Sequence, residues 1–450
     1  MTITPNKLET RRNTNTLPVP ETEQQFHWRD CWYPIVFMQD LPKNRPYSFS
    51  LYDEPLVLFR NQDGRLGCLS DRCPHRAAKL SDGQIIDGKI ECLYHGWQFG
   101  TNGECLHIPQ LPAQAKIPSN SCVKSFQVIE RQGIVWLWAG ESEKADQNSI
   151  PILADLDKPG FAHSDKISEL PYDQSYFIEN VLDPAHLHFS HDGSQGNREK
   201  AQPLEMEIIE SSIKGFQGRF RDTKGSHQFW RNMDFWAPNL VSFRFSLEQK
   251  GWDFGLALYS MPLGKGKCRV LTRSYRNFFT WKVKLTPRWL IHLGQNKILE
   301  EDMPLVIGQK EQIERLGQSL KDLYLPLNTS DIFVIEYRKW LDKFGYFLPF
   351  YQGYSTSHNV ETDNFSHHDV PLDRYKQHTQ LCSSCNRAHK VINRVKHILV
   401  GVAIIMAAFA IVIDNYEMKI VAVSAAIMAV VLAAIAHKLK THFERSYNRS

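Results

Sequence analysis

The sequence lacks several features that would place it in a common functional class. Its 450 residues carry a formal net charge of only +4, so it has no strong basic excess, and no RNA- or DNA-binding motif is present. We therefore expect no nucleic-acid partner. No Gly-x-Gly-x-x-Gly or other nucleotide-binding signature occurs either. The first 25 residues contain no apolar run behind a basic start, so we expect a disordered lead rather than a secretory signal.

Cysteine is scarce, with nine residues in 450, and its pattern does not fit a secreted disulfide framework. The length predicts two or three domains, and a hydrophobic content of 42% is enough to build a core in each. Thiolate ligands and a late Cys-x-x-Cys pair fit a reducing compartment. Five scattered cysteines are expected to be structural: Cys31, Cys68, Cys105, Cys122 and Cys268.

Two short motifs present the same donors in the same order, Cys-Pro-His-Arg at 73–76 and Cys-Leu-Tyr-His-Gly-Trp at 92–97. Two thiolates and two imidazoles are the ligand set of a Rieske [2Fe–2S] centre, with Cys73 and Cys92 on one iron and His75 and His95 on the other. A Cys2His2 zinc site uses the same donors. A zinc finger, however, places its cysteines first and its histidines later, so the order found here favours the Rieske cluster.

A second metal site is indicated at 179–191, where Asp183, His186 and His191 form an Asp-x-x-His-x-x-x-x-His pattern. Two histidines and one carboxylate on one face of Fe(II) leave coordination positions open for O2 and substrate. Five residues correspond to ~140° around a helix, so the two histidines converge only if the helix is irregular or ends between them. Asp183 is expected to hold the imidazole N–H of His186 rather than to bind the metal.

The carboxylate ligand must then come from later in the chain. Asp331 lies at the start of a predicted helix and is our candidate, although its position also suits an N-cap, and Glu336 is the main competitor. His188 is an additional imidazole that either faces the substrate or is an ordinary surface or core residue. Asn180 is a candidate for lining the same pocket.

The order of the predicted elements indicates an α+β protein, because short strands come first and long helices follow. Five alternating segments between 215 and 277 predict an antiparallel sheet, and helical patterns follow at 288–320 and 331–345. The predicted domains are a lead at 1–25, an all-β Rieske domain at 26–142, a linker at 143–170, a catalytic mononuclear iron domain at 171–365, a Cys-x-x-Cys segment at 366–395, a hairpin at 396–438 and a basic tail at 439–450.

Long apolar runs occur only near the end of the chain, at 398–413 and 420–436. Each is slightly shorter than the ~20 residues that cross a bilayer core, and flanking lysines can extend it. We therefore predict a transmembrane helical hairpin; the alternative is a buried hairpin of a soluble domain. Basic residues flank both outer ends, and the connecting loop is close to neutral. The positive-inside rule then places the catalytic part on the cytoplasmic or stromal side.

Taken together, these motifs resemble the Rieske-type non-haem iron oxygenases, and within them the pheophorbide a oxygenase group. That group includes cell-death-suppressor, Tic55-like and protochlorophyllide a oxygenase relatives. The resemblance rests on both cluster motifs, on Glu-Asn-Val-x-Asp-Pro-Ala-His from Glu179, and on the stretches at 26–34, 108–112, 330–331 and 374–385. The two apolar runs also match, so the likeness covers nearly the whole chain. His188 departs from the pattern, which leaves the substrate open.

The resemblance implies a helix-grip catalytic domain, reduced ferredoxin as the electron donor, and Asp331 as the third iron ligand. It also implies a homotrimer in which Asp183 bridges His186 and a cluster histidine of the neighbouring subunit. The expected substrate is a chlorophyll-derived tetrapyrrole in a thylakoid, chloroplast or cyanobacterial membrane, with pheophorbide a favoured and protochlorophyllide a or chlorophyllide a as alternatives. A Rieske electron carrier or a redox-sensing component of a membrane complex is the alternative to an enzyme.

The late Cys382-x-x-Cys385 pair is a candidate redox switch, as the resemblance suggests, with thioredoxin as a candidate partner. His378 and His389 lie on either side of it in sequence. A small zinc site built from these residues is the alternative to a redox pair, and inert thiols are the third interpretation.

Overall fold

The computed structural model describes residues 25–225, 228–357 and 373–445. The predicted lead falls outside this range except for residue 25. The first part of the predicted Cys-x-x-Cys segment and the last five residues of the basic tail also fall outside it.

The N-terminal part is built from three small antiparallel sheets, with strand orders β1-β11-β10, β2-β3-β4-β9 and β5-β6-β7-β8. Its eleven strands alternate with short turns, as the sequence predicted. They are β1 (Trp32–Phe37), β2 (Tyr47–Leu51), β3 (Glu54–Arg60), β4 (Leu66–Ser70), β5 (Gln84–Ile86), β6 (Lys89–Glu91), β7 (Gln98–Phe99), β8 (Cys105–His107), β9 (Ser125–Phe126), β10 (Val128–Arg131) and β11 (Ile134–Trp138).

Two glycine turns connect neighbouring strands in this part. Gly64 connects β3 and β4, and Gly103 connects β7 and β8; both have positive φ, at 80° and 81°. At Gly103 a Cβ atom would lie 1.9 Å from the carbonyl oxygen of Val123, so no other residue fits without moving the backbone.

The second part is a single seven-stranded antiparallel sheet, ordered β12-β18-β17-β16-β15-β14-β13. Its strands are β12 (Ala162–Leu170), β13 (Leu204–Ser212), β14 (Gly215–Asp222), β15 (Arg231–Trp236), β16 (Leu240–Leu247), β17 (Trp252–Gly264) and β18 (Lys267–Arg276). The five segments predicted as strands between 215 and 277 correspond to β14, β15, β16, β17 and β18. The predicted linker at 143–170, in contrast, includes β12, which pairs with β18 along its whole length.

In the described part of the chain, eight α-helices accompany the sheets: α1 (Gln174–Val181), α2 (Leu187–Ser190), α3 (Thr280–Leu285), α4 (Arg288–Leu316), α5 (Leu320–Leu323), α6 (Ile332–Phe344), α7 (Ser383–Val412) and α8 (Tyr416–Thr441). Single turns of other helix types lie at Ser119–Ser121, Ser142–Lys144, Gln147–Ser149, Ala154–Asp157, Arg198–Lys200, Glu248–Lys250 and Tyr375–Thr379. Helices α1, α4 and α6 pack on the large sheet and enclose a core of aromatic and aliphatic side chains, which matches the expected α+β architecture.

The two parts share one hydrophobic core. The sheet β1-β11-β10 packs against β17 and β18, and buried aromatic residues of both parts, such as Trp136 and Tyr259, make edge-to-face contact. Buried polar groups fix the join: the Asn239 amide donates to the carbonyl of Trp32 at 2.7 Å, and the Arg269 guanidinium donates to that of Ile35 at 3.1 Å. Such paired donors avoid the cost of unsatisfied buried groups and hold the two parts in one orientation.

Helices α7 and α8 form a hairpin whose apolar side chains mostly face outward. Both are long and apolar enough to cross a membrane, and few of their residues are buried. Large aliphatic side chains such as Ile405, Ile411 and Val421 are more than 60% exposed. An exposed apolar surface of this extent is unusual for a soluble monomer and marks an interaction surface.

Candidate active site and cluster loops

The two predicted cluster motifs lie on loops of the same shape. Cys73 follows β4, and Cys92 follows β6. In each loop the backbone N–H of the cysteine donates to the carbonyl of the residue five positions later, Ala78 or Trp97. The cysteine carbonyl accepts from the N–H of the residue four positions later, and all four distances are 2.8 to 2.9 Å. The residue at that fourth position has positive φ in both loops, at 60° for Ala77 and 74° for Gly96. The repeated turn directs a Cys and a His from each loop to one place.

The thiols point inward and the imidazoles outward. Cys73 and Cys92 are almost fully buried, whereas His75 is exposed and His95 is half-buried. The two imidazole rings are 4.4 Å apart between centroids, and the indole of Trp97 stacks on His75 at 4.8 Å. The imidazole edge is therefore the part of the site that a partner can approach.

A third loop supports the second cluster loop. The Gln110 amide donates to the carbonyl of His95 at 2.9 Å, and the ring of Pro109 lies against Gly96, where a Cβ atom would come within 3.0 Å of it. These residues belong to the stretch at 108–112 on which the family resemblance partly rests.

The donor set fits a cationic cluster. Burial, together with the neighbouring Cys92 thiol, raises the pKa of Cys73 to about 11. Two adjacent thiolates are therefore stable here only beside strong positive charge, which two ferric ions provide. Burial and the nearby His75 lower the pKa of His95, which keeps that imidazole neutral and able to bind metal.

His186 and His191 converge because the helix between them is only one turn long. His186 lies at the N-cap of α2 and His191 at its C-cap, where φ of −109° and ψ of 27° end the helix. The two imidazole rings lie 5.3 Å apart between centroids. The expectation that the helix is irregular or ends between the two histidines is thus confirmed.

The third member of the group is Asp302, on α4, and not Asp331. The Asp302 Oδ2 atom lies 3.2 Å from Nε2 of His191 and 3.7 Å from Nε2 of His186. The three donor atoms lie within 4.8 Å of one another. The structure thus offers Asp302 as the carboxylate of the triad, which corrects our sequence-based choice.

Both sequence candidates for that ligand are engaged elsewhere. The Asp331 Oδ2 atom accepts from the backbone N–H of Leu327 at 2.8 Å and from the hydroxyl of Ser330 at 2.6 Å. It lies at the N-cap position of α6, but its side chain makes no capping hydrogen bond to that helix, so its alternative role is met in position only. Glu336 accepts from the hydroxyl of Ser211 at 2.6 Å, on the side of α6 that faces β13.

Asp302 is the last of three consecutive buried carboxylates that point in different directions, because successive residues are ~100° apart around a helix. Glu300 forms a bidentate ion pair with Arg374 at 2.5 Å, and Glu301 accepts from Nδ1 of His191 at 2.9 Å. The sequence does contain one signal for Asp302: it ends a run of three acidic residues in a predicted helix, two residues before Pro304. A proline interrupts the helix hydrogen bonds locally, and acidic residues are seldom buried without a partner or a metal.

The triad fits a divalent metal ion. His186 is held through Nδ1 by the backbone carbonyl of Asp183 at 2.5 Å, so both histidines present Nε2 to Asp302. Burial lowers the pKa of His191, but the hydrogen bonds to Asp302 and Glu301 outweigh it and raise that pKa overall. The Asp302 Oδ1 atom is buried and has no hydrogen-bond partner among the described residues. A metal ion would occupy this electron-rich point, and two histidines with one carboxylate are the set used by Fe(II).

Asp183 holds His186 through its main chain rather than through its carboxylate as predicted. Its Oδ1 atom accepts from the backbone N–H of Ala185 at 2.8 Å and of His186 at 3.3 Å, while Oδ2 lies 3.9 Å from the imidazole. Burial, with Asp331 nearby, raises the pKa of the Asp183 carboxyl. The carboxylate therefore shapes the turn that presents His186.

A cavity of about 510 Å³ opens beside the triad. Its floor includes His186, Asp302 and Asp183, and Asn180 and Asp331 also line it, as Asn180 was expected to do. Aliphatic side chains form much of its wall: Leu305, Val306, Leu323, Leu325, Val334 and Ile335. This size and lining are typical of a small-molecule site. His188 does not line the cavity; its Nδ1 atom accepts from the N–H of Asn197 at 3.4 Å.

The Cys382-x-x-Cys385 pair is buried at the start of α7. Both thiols are fully buried, and the sequence neighbour His378 and the α4 residue His292 surround them. His389, which was considered as a flanking ligand, instead bonds Glu444 at 2.8 Å. Burial lowers the pKa of His378 to about 3, whereas hydrogen bonding to Cys385 lowers the pKa of Cys382.

Comparisons with known proteins agree with this organisation. Residues 31–127 match the family model of the Rieske [2Fe-2S] domain, and residues 235–319 match that of pheophorbide a oxygenase. The chain is 34% identical to protein TIC 55 of Pisum sativum, over 93% of this chain and 82% of the relative. It is 31% identical to pheophorbide a oxygenase of Arabidopsis thaliana, over 94% and 84%. Dicamba monooxygenase bound to dicamba shares the fold, with a TM-score of 0.60 at 22% identity over 70% of this chain and 96% of that one.

Proposed function

Because the chain belongs to the pheophorbide a oxygenase family of Rieske-type non-haem iron oxygenases, we propose that it oxidises a chlorophyll-derived tetrapyrrole, with pheophorbide a as the favoured substrate. The cofactors of this family are a [2Fe–2S] cluster and a mononuclear iron. Protochlorophyllide a and chlorophyllide a are the alternative substrates. Relatives named pheophorbide a oxygenase and chlorophyllide a oxygenase support this substrate class.

One observation carries the proposal: two members of the triad, His186 and Asp302, line a cavity with aliphatic side chains in its wall, and His191 lies buried behind them. A flat, largely apolar ligand would bury its faces against leucine, valine and isoleucine side chains. Its polar edge would meet Asn180, Asp183 or Asp331, which line the same cavity. The reacting carbon would then lie close to the metal ligands.

The protein's own residues prepare this site before any substrate arrives. Iron bound by the triad would supply O2 activation, driven by electrons from the Rieske cluster. Glu301 and the Asp183 carbonyl fix both imidazoles through Nδ1, so that each Nε2 is a lone-pair donor. Ser194 donates to Glu301 at 2.7 Å and keeps that carboxylate in place. A bound apolar ligand would displace water from this cavity, which would strengthen each of these interactions.

The electrons would come from reduced ferredoxin, since the sequence holds no nucleotide signature. The exposed His75 side of the cluster, capped by Trp97, is the surface that a small electron carrier could reach. We further propose a homotrimer in which Asp183 links His186 to a cluster histidine of the next subunit. The half-buried position of Asp183 at the cavity supports such a contact.

Helices α7 and α8 would anchor the enzyme in a membrane, with the catalytic part on the cytoplasmic or stromal side. Their outward-facing isoleucine and valine side chains support insertion in lipid. Relatives named as chloroplastic proteins support a thylakoid or other chloroplast membrane, or a cyanobacterial one. Such an anchor would bring the cavity close to a substrate that partitions into the bilayer.

The experiment is an anaerobic binding screen of the full chain in detergent with pheophorbide a, chlorophyllide a and protochlorophyllide a. Reduced ferredoxin and O2 are then added, and products are identified by mass spectrometry. We expect one pigment to bind and to gain oxygen, and the Asp302→Ala variant to bind it without product. If no pigment binds, the tetrapyrrole proposal fails.

A second function, that of a Rieske electron carrier or redox-sensing component, is favoured by the similarity to proteins named TIC 55 and by the buried Cys382 and Cys385. Metal analysis separates the two functions. Three irons per chain support the oxygenase, whereas two irons, with full cluster spectra, would support the carrier. If the chain is a redox-sensing component of a membrane complex, Cys382→Ser would abolish its association with that complex while oxygenase turnover survives.

A further inference from the structure

Four buried donor side chains meet at a second point, outside the catalytic cavity. They come from three separate segments: His292 from α4, His378 from the turn at Tyr375–Thr379, and Cys382 and Cys385 from the start of α7. Their donor atoms all lie within 4.8 Å of one another. The mononuclear iron triad does not involve them, and they are distant in sequence from the cluster loops.

Both imidazoles are fixed so that a lone pair faces the thiols. The outer nitrogen of His378, Nδ1, lies 2.6 Å from the carbonyl oxygen of Ile167, and that of His292, Nε2, lies 2.8 Å from the carbonyl oxygen of Asp165. A carbonyl only accepts, so each outer nitrogen carries the proton. Holding the outer N–H of a histidine by a backbone carbonyl is the usual arrangement around metal-binding histidines.

Three sulfur-to-nitrogen distances between the inner atoms are close to those of a tetrahedral site. Nε2 of His378 lies 3.2 Å from Sγ of Cys385. Nδ1 of His292 lies 3.5 Å from Sγ of Cys382 and 3.4 Å from Sγ of Cys385. A tetrahedral zinc ion with Zn–S of ~2.3 Å and Zn–N of ~2.0 Å separates its sulfur and nitrogen ligands by about 3.5 Å. A small inward or outward adjustment of each side chain would complete the site.

The charge around the thiols also suits a bound metal. The Arg288 guanidinium donates to Sγ of Cys382 at 3.2 Å and pairs with Asp40. Asp40 in turn accepts from the backbone N–H of Ser383 at 2.8 Å, at the start of α7. A guanidinium beside a sulfur atom stabilises the thiolate form, which is the form that binds metal.

We propose that His292, His378, Cys382 and Cys385 form a closed, structural zinc site. Two thiolates and two neutral imidazoles fill four tetrahedral positions, the number that structural zinc sites use, and leave no position for substrate. The site would join the edge strand β12, whose carbonyls hold both histidines, to α4 and to the base of the α7–α8 hairpin. Since α4 also carries Asp302, ten residues or ~15 Å further along, zinc would fix the catalytic helix relative to the membrane anchor.

The test is the metal content of the full chain, purified anaerobically in detergent, measured by mass spectrometry for zinc and iron together. We expect about one zinc per chain in addition to iron, and loss of that zinc in Cys385→Ser and in His292→Ala. Replacing zinc by Co²⁺ should give the thiolate-to-metal charge-transfer bands and intense visible bands of a tetrahedral site. Both readouts are independent of oxygenase activity.

Matched variants separate ligand loss from misfolding. His378→Cys should keep zinc, because three cysteines and one histidine also form structural zinc sites, whereas His378→Ala should lose it. His389→Ala and Cys122→Ser should keep zinc, because His389 bonds Glu444 and Cys122 is exposed. Three results for the wild-type chain would overturn the zinc proposal: full iron content without zinc, iron bound at this site instead of zinc, or a disulfide between Cys382 and Cys385. Each of these results would leave the oxygenase proposal intact.

Discussion

The Asp302 carboxylate lies 3.2 Å from Nε2 of His191, and the neighbouring Glu301 carboxylate lies 2.9 Å from Nδ1 of the same ring. One imidazole is thus held between two adjacent residues of α4. Metal binding and ligand orientation are therefore properties of one helix, and a shift of α4 would disturb both at once.

The first prediction concerns Glu301. Glu301→Gln should weaken iron binding or activity by roughly 10–100-fold, because the amide cannot match the carboxylate in orienting His191 and raising its basicity. The measurement is an Fe(II) titration of the iron-depleted chain, followed by turnover. Glu311→Gln, on an exposed turn of the same helix, should behave as wild type. Equal Fe(II) affinities for the wild type, Glu301→Gln and Glu311→Gln would refute a role for Glu301 in orienting His191.

The second prediction concerns the cluster loop. Gly96→Ala should reduce [2Fe–2S] occupancy, because Gly96 has φ of 74° and a Cβ atom there would press on Pro109. Gly160→Ala is the matched control: its φ is 89°, but nothing lies within 4 Å of the added Cβ. It should cost about 1–2 kcal/mol of stability and leave the cluster intact. Cluster absorbance and electron paramagnetic resonance measure the difference; full occupancy in Gly96→Ala would show that the loop can move freely.

A third prediction follows from the buried ion pair of Glu300 and Arg374. Arg374→Met should lower the free energy of unfolding by roughly 3–5 kcal/mol, because it removes the bidentate guanidinium from a buried carboxylate. Arg221→Met, which breaks an exposed pair with Glu205, should change stability much less, because water already screens that pair. Denaturation in detergent, followed by tryptophan fluorescence, compares the two. Similar small losses for both variants would indicate that the buried pair adds little.

The fourth prediction is a pH dependence at Lys166. Complete burial lowers the pKa of Lys166 to about 7, although the nearby Glu300 carboxylate and the thiols of Cys382 and Cys385 raise it, and its ammonium group donates to the carbonyl of Gln295 at 3.1 Å. Between about pH 7 and pH 10 the unfolded chain binds this proton and the folded chain does not, so stability should rise with pH across that window. Lys166→Met should flatten the rise and increase the melting temperature at pH 7; the exposed Lys116→Met should do neither.

The sequence predicted the sites whose ligands lie close together in the chain. Cys73, His75, Cys92 and His95 lie on two loops with a repeated motif, and His186 and His191 lie around one helical turn, so short spacings identified them. Asp302 could not be found this way, because its approach depends on how α4 packs against the large sheet. Asp331 was chosen because it lies at the start of a predicted helix. At that position, however, its carboxylate accepts a hydrogen bond from the backbone N–H of Leu327. His292 was missed for the same reason as Asp302.

The most direct test of two separate iron sites is the iron content of Asp302→Ala beside Asp331→Ala, with cluster spectra recorded on the same samples. The account predicts three irons per wild-type chain, two in Asp302→Ala with an unchanged [2Fe–2S] spectrum, and three in Asp331→Ala. Two irons in Asp331→Ala and three in Asp302→Ala would contradict it and return the ligand role to Asp331.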